Sequence, residues 1–159
     1  MNRSLIHRAV VRRQQRGIVL FEALVAIAIF GFGVLGLLGL QANAVKESTN
    51  ARFRSDAGLL ADELIGKMWV NDRDPTKLAA AFSSPSGAQY TAWLGAAGKQ
   101  GTVLGTLPAN ASTPKPTVVV SPVTDGAGVA QSSSITVTMY WQAPYEKVQH
   151  QYTVITQIR

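Results

Sequence analysis

The segment RGIVLFEALVAIAIFGFGVLGLLGLQ, Arg16 to Gln41, decides how the chain is read. From Ile18 to Leu40 it carries one charge, Glu22, in 23 residues. At a rise of about 1.5 Å per residue that run crosses a hydrocarbon layer of roughly 30 Å as a helix. The carboxylate is the anomaly, because an acid inside the membrane costs roughly 2.5 to 3.5 kcal/mol on insertion scales. A segment that served only as an anchor gains nothing from it.

The composition around this segment agrees with a membrane-attached domain. Of the 159 residues 47% are hydrophobic and 15% charged, enough for one domain with a core and an apolar span. The formal charge of +6 looks at first like a signal for nucleic acid. Arg3, Arg8, Arg12, Arg13 and Arg16 all precede Gly17, however, and without them ten basic residues face nine acidic ones. The excess therefore belongs to the leader, no nucleic-acid partner is expected, and the arginines read as the cytoplasmic side of a positive-inside topology. The absence of cysteine excludes disulfides, thiol nucleophiles and Cys-ligated metals.

A cleavable secretory signal is one reading of the span, with Ala42-Asn43-Ala44 as the small-x-small site. Its apolar region is too long for that and contains Glu22. A plain signal anchor explains the length and the arginines and leaves Glu22 unexplained. Arg12-Arg13 followed by Gln14-Gln15-Arg16 is a poor twin-arginine signal.

The third reading takes Gly17, Ile18-Val19-Leu20-Phe21 and Glu22 together with the basic leader and the apolar run. This arrangement resembles the class III signal of type IV prepilins and of type II secretion pseudopilins. The resemblance implies that a membrane aspartyl peptidase, the prepilin peptidase, cuts between Gly17 and Ile18 and methylates the new amine of Ile18. It also implies a role for Glu22 in subunit assembly, opposite the terminal amine of a neighbouring subunit. Physically, cutting there places an ammonium at Ile18, and opposite charges attract far more strongly in a low-dielectric layer than in water. The chain departs from the family at Ile18, where Phe is common, and at Val19-Leu20-Phe21, where Thr-Leu-Ile is usual.

The passage GVLGLLGLQ, Gly33 to Gln41, with Asp62-Glu63-Leu64 and Met68 further on, narrows the likeness to minor pilins of the PilV type. It covers roughly residues 14 to 75. VAIAIF, residues 25 to 30, is shared with pseudopilins. The implied partners are prepilin peptidase, other minor pilins, the major pilin, the pilus assembly machinery and the inner membrane. The implied place is a single inner-membrane pass with a periplasmic C-terminal domain, followed by entry into a filament. A type II secretion pseudopilin and a signal-anchored periplasmic binding domain are the alternatives.

Gly31-Phe32-Gly33-Val34-Leu35-Gly36 matches a dinucleotide pattern, with Asp56 about 20 residues on. It lies inside the apolar helix and not after a strand, so no nucleotide is expected. Gly31, Gly33, Gly36 and Gly39 instead mark where the helix is weakest, each costing about 1 kcal/mol relative to Ala in a soluble host. Major pilins often have proline where Gly39 stands.

Beyond Gln41, Val45, Thr49, Phe53, Leu60, Leu64 and Met68 recur on one helical face. One helix from Ile18 to about Val70, on the order of 80 Å long, is predicted. Asn71-Asp72-Arg73-Asp74-Pro75 ends it. Asp72 and Asp74 lack the later ligands of a calcium loop. Residues 83 to 133 are rich in Gly, Ser, Thr and Pro, with Tyr90, Trp93 and Leu94 as packing points. Thr117 to Val120 reads as a strand before Pro122 and the turn at Asp125-Gly126. Ile135, Val137, Met139 and Trp141 alternate with Thr136, Thr138 and Tyr140. After Ala143-Pro144-Tyr145-Glu146-Lys147 comes a strand from Val148 to Ile158, with Tyr152, Val154 and Ile158 on one face. These two strands form a hairpin.

No catalytic constellation emerges. His7 goes with the leader, His150 stands alone on a strand, and Asp62 and Glu63 point apart on a helix. Trp93, Trp141 and Tyr140 read as aromatic core in preference to a carbohydrate site. No cofactor and no metal are expected. The fold class is α+β, a long helix packed on a small antiparallel sheet in the manner of type IV pilins. Its parts are a leader (1–17), a membrane or filament-core helix (18–40), an amphipathic continuation (41–70) and a periplasmic β-domain (71–159).

Overall fold

The computed structural model describes residues 16–144 and 146–159. Arg3, Arg8, Arg12 and Arg13 of the leader, His7 and Tyr145 of the strand connection therefore lie outside the described residues, as do all positions before Arg16. The chain divides into two compact units, one ending at Val45 and the other Lys46–Arg159.

Helix α1, Arg16–Trp69, runs through both. Up to Val45 it is apolar on all sides, with Ile18, Leu24, Phe30, Leu35 and Leu40 among many exposed large side chains. A helix suits such a stretch because it satisfies every interior backbone group within itself, as a hydrocarbon layer requires. α1 is long and apolar enough to cross a membrane. No atom outside the local helix lies within 4 Å of a Cβ built on Gly31, Gly33, Gly36 or Gly39. The dinucleotide-like glycines are thus mid-helix and have no phosphate-binding turn around them.

From Lys46 onward α1 is amphipathic. Ala57, Leu60, Ala61, Leu64 and Met68 are buried, with Phe53 packed against them. The spacing of three and four residues puts all six on one face. Val45, expected on this stripe, is 66% exposed. The buried stripe begins later, at Phe53, within the second unit.

α1 stops at Trp69, and the Asn71 N–H reaches back to the Met68 carbonyl. Pro75, expected only to end this helix, also starts the next. α2, Pro75–Phe82, has Asp74 as its N-cap, whose carboxylate accepts from the Thr76 and Lys77 N–H groups. Asp72 pairs with Lys77. α3 is Ala88–Leu94 and α4 is Val103–Thr106. Gly95 ends α3 with φ +65°, and a Cβ there would fall 2.3 Å from the Thr102 side chain. Both the backbone and the space demand glycine.

Three strands follow: β1 Thr117–Thr124, β2 Ala130–Trp141 and β3 His150–Ile158. They form one antiparallel sheet in the order β1-β2-β3. β1 is longer than expected and continues through Pro122, which an edge strand tolerates because its N–H side has no ladder partner to lose. β2 starts five residues before the predicted alternation, and β3 starts at His150, two residues after Val148.

The core forms between the inner face of the sheet and the stripe on α1. Ile135, Val137, Met139 and Trp141 are buried, as the alternation predicts. Ile158 is buried, and Tyr152 and Val154 pack at its margin. α2 and α3 close the rest with Leu78, Phe82, Tyr90, Trp93 and Leu94. Tyr90 donates its hydroxyl to the Pro116 carbonyl (2.8 Å), and Trp93 Nε1 donates to the Leu60 carbonyl of α1 (2.9 Å). Burial of the Tyr90 ring pushes its hydroxyl pKa up. Tyr140 is not core: it stands half-buried on the outer face, opposite to Trp141.

Candidate processing and assembly site

Gly17, Ile18 and Glu22 all lie in the first two turns of α1. Gly17 is helical and directly precedes Ile18. Among the described residues no atom outside the local helix lies within 4 Å of a Cβ built on Gly17. Ile18 is 70% exposed, and Glu22 is exposed as well.

The spacing of four residues sets Ile18 and Glu22 on one helix face. They share it with Phe21, Val25, Ala26 and Ile29, which line a shallow apolar surface around the carboxylate. Among the described residues Glu22 has no hydrogen-bond or ion-pair partner. Its carboxylate is thus a lone acceptor on an apolar face, available to a cation supplied from outside. What this surface offers chemically is charge pairing and apolar contact. Asp62 and Glu63 do not form a paired site, since Glu63 bonds to Lys67 Nζ at 2.6 Å along the same helix.

One cluster escaped the sequence reading. His150, expected to stand alone, donates from Nε2 to a Glu146 carboxylate oxygen at 2.9 Å and stacks on Trp141 with ring centroids 5.7 Å apart. The other oxygen of Glu146 accepts from the Asn50 amide on α1 at 3.0 Å, and its backbone carbonyl accepts from Gln142. Glu146 therefore ties the β2–β3 connection to α1 and to the start of β3. The spacing of Glu146 and His150 by four residues was the available signal. The Asn50 partner, 96 positions away, had none.

The Asn50 amide, followed by His150, holds the Glu146 carboxyl below the usual carboxylate range. Lys46 of α1 contributes in the same direction. A carboxylate whose pKa is lowered by folding contributes stability at neutral pH and loses it as pH falls through the folded value. Glu146→Gln is therefore expected to lower stability at pH 7 and to approach the unsubstituted chain as pH falls through and below the ordinary carboxylate range. Urea unfolding at a series of pH values checks this; a constant difference down to the lowest pH contradicts it.

No model of a protein family, no curated protein and no solved structure matches the chain.

Proposed function

We propose that the protein is a minor pilin of the PilV type, a structural subunit that helps start type IV pilus assembly and not an enzyme. In this reading prepilin peptidase removes residues 1 to 17 and methylates Ile18, and Glu22 pairs with a terminal amine during assembly. The chain first occupies the inner membrane, with Lys46–Arg159 in the periplasm. It then enters the filament beside other minor pilins and the major pilin.

The observation that carries this reading is Glu22 itself. Among the described residues it is a carboxylate without a hydrogen-bond or ion-pair partner, on the apolar face that also bears Ile18. An anchor is better without such a group, whereas a subunit that must leave lipid for a protein filament gains from it. A sheet packed on the second half of the same helix fits a subunit whose first half is reserved for membrane and filament core.

The pseudopilin reading shares the signal and the residues 25–30 of α1. Shearing the surface of cells separates the two. A pilin is expected in the sheared filament fraction, whereas a secretion pseudopilin or a signal-anchored binding domain is expected to stay with the cell envelope.

A further inference from the structure

The two edges of the sheet differ in how they are closed. Along β1, the Ser84 N–H and hydroxyl donate to the Val118 carbonyl at 3.0 and 3.2 Å, and the Val118 N–H donates to the Ser84 hydroxyl at 3.1 Å. Further on, Pro122 has no N–H to offer, and the register shifts between Val123 and Thr124. A covering loop, a proline and a bulge are the devices that keep an edge strand from pairing with another chain.

β3 has none of them. Its nine residues pair with β2 without a shift in register. They include no proline and no Asp, Glu, Lys or Arg. Among the described residues, the backbone of β3 is bonded only through its ladder to β2. In an antiparallel ladder alternate residues turn N–H and C=O away from the partner, so about half of the β3 backbone groups point along a free edge. The core also thins toward this edge. Tyr152 and Val154 are half-buried, whereas Met139 and Val137, opposite them on β2, are fully buried.

A row of donors and acceptors at strand spacing is matched by another extended segment, and the charges at its two ends select which. Lys147, just before β3, is exposed and in no ion pair among the described residues, while Glu146 beside it is occupied by Asn50 and His150. At the far end Arg73 donates to the Arg159 carbonyl. Neither guanidinium has a carboxylate partner among the described residues, since Asp72 pairs with Lys77 and Asp74 caps α2. A second β3 is a poor match for such ends. Set antiparallel, it brings Lys147 of each copy toward Arg159 of the other; set parallel, it brings like residues together.

We propose that the free edge of β3 takes up an extended segment of another protein, with an uncharged centre of alternating apolar and hydroxyl residues and with acidic residues at both ends. Its backbone extends the ladder and its apolar side chains cover Tyr152 and Val154. Its carboxylates meet Lys147 at one end and Arg73 and Arg159 at the other. The inference concerns the Lys46–Arg159 unit alone and does not rest on the pilin reading.

The probe is a synthetic peptide of alternating valine and threonine, matched to the nine residues of β3 and carrying two glutamates at each end. Titrated at low salt into the full-length chain in detergent, it is expected to bind saturably and to slow hydrogen exchange at alternate β3 amides. The same peptide with lysines in place of the glutamates is expected to bind about tenfold or more weakly. Methylating every central amide nitrogen of the peptide removes its donors and is expected to abolish binding. Lys147→Glu combined with Arg159→Glu is expected to reverse the preference between the two charged peptides, with thermal unfolding unchanged because both residues are exposed. Lys147→Glu alone replaces the pair should the double variant unfold. No saturable binding below about 1 mM, protection outside β3, equal binding of the lysine or methylated peptide, or an unaltered preference in the charge-reversed chain would overturn the proposal.

Discussion

Glu22→Ala is expected to leave membrane insertion and removal of the leader intact while reducing entry into filaments about a hundredfold or more. The reasoning follows the carboxylate through its environments. In lipid it is surrounded by Ile18, Phe21, Val25, Ala26 and Ile29 and is costly, so its loss makes insertion slightly easier. On the pilin reading it faces the amine of a neighbour in the filament core, and taking one member from a buried pair costs about 3–5 kcal/mol because the other charge is left uncompensated. Glu22→Asp keeps the charge on a shorter arm and falls between the two. Quantifying the chain in envelope and sheared fractions checks the prediction. Equal recovery of the Ala variant in filaments would remove the reason for the glutamate that the pilin reading supplies.

The second large effect concerns stability. Trp93→Ala is expected to destabilise the Lys46–Arg159 unit by about 3–5 kcal/mol, the usual cost of deleting a large buried aromatic side chain. Trp93 is 2% exposed, lies beside Tyr90 with ring centroids 6.1 Å apart, and fixes α3 to α1 through the Leu60 carbonyl. Trp93→Phe loses that hydrogen bond and part of the buried ring volume, a smaller cost of about 1–3 kcal/mol. The Leu60 carbonyl still has its helical partner, so no acceptor is stranded. Urea midpoints of the full-length chain in detergent distinguish the two variants. Similar midpoints for both would mean that α3 packs on α1 less tightly than the structure has it.

Much of this architecture was legible in the sequence because two periods are strong. The apolar run and the Phe53-to-Met68 stripe predict one continuous helix through both segments and place its end to within one residue. The alternation from Ile135 to Trp141 sets the inner face of β2. The short helices were not legible: α2, α3 and α4 span 8, 7 and 4 residues, too few for a helical period to show against a background of Gly, Ser and Pro. Pro122 argued for an end to β1, but its edge position removes the penalty. Within the site, the shared face of Ile18 and Glu22 follows from spacing alone. The Asn50–Glu146–His150 tie does not, because it depends on where a connection folds back onto α1.

The Gly17–Ile18 bond is the point at which the whole account meets a measurement. The N-terminal mass of the protein, recovered from cells with and without prepilin peptidase, decides it. The expected result is a chain that begins at Ile18 and carries one added methyl group, only when the peptidase is present. A chain that begins at Met1 in both cells leaves a plain anchor, and one that begins at Val45 makes the domain a secreted one. Either would contradict the filament reading.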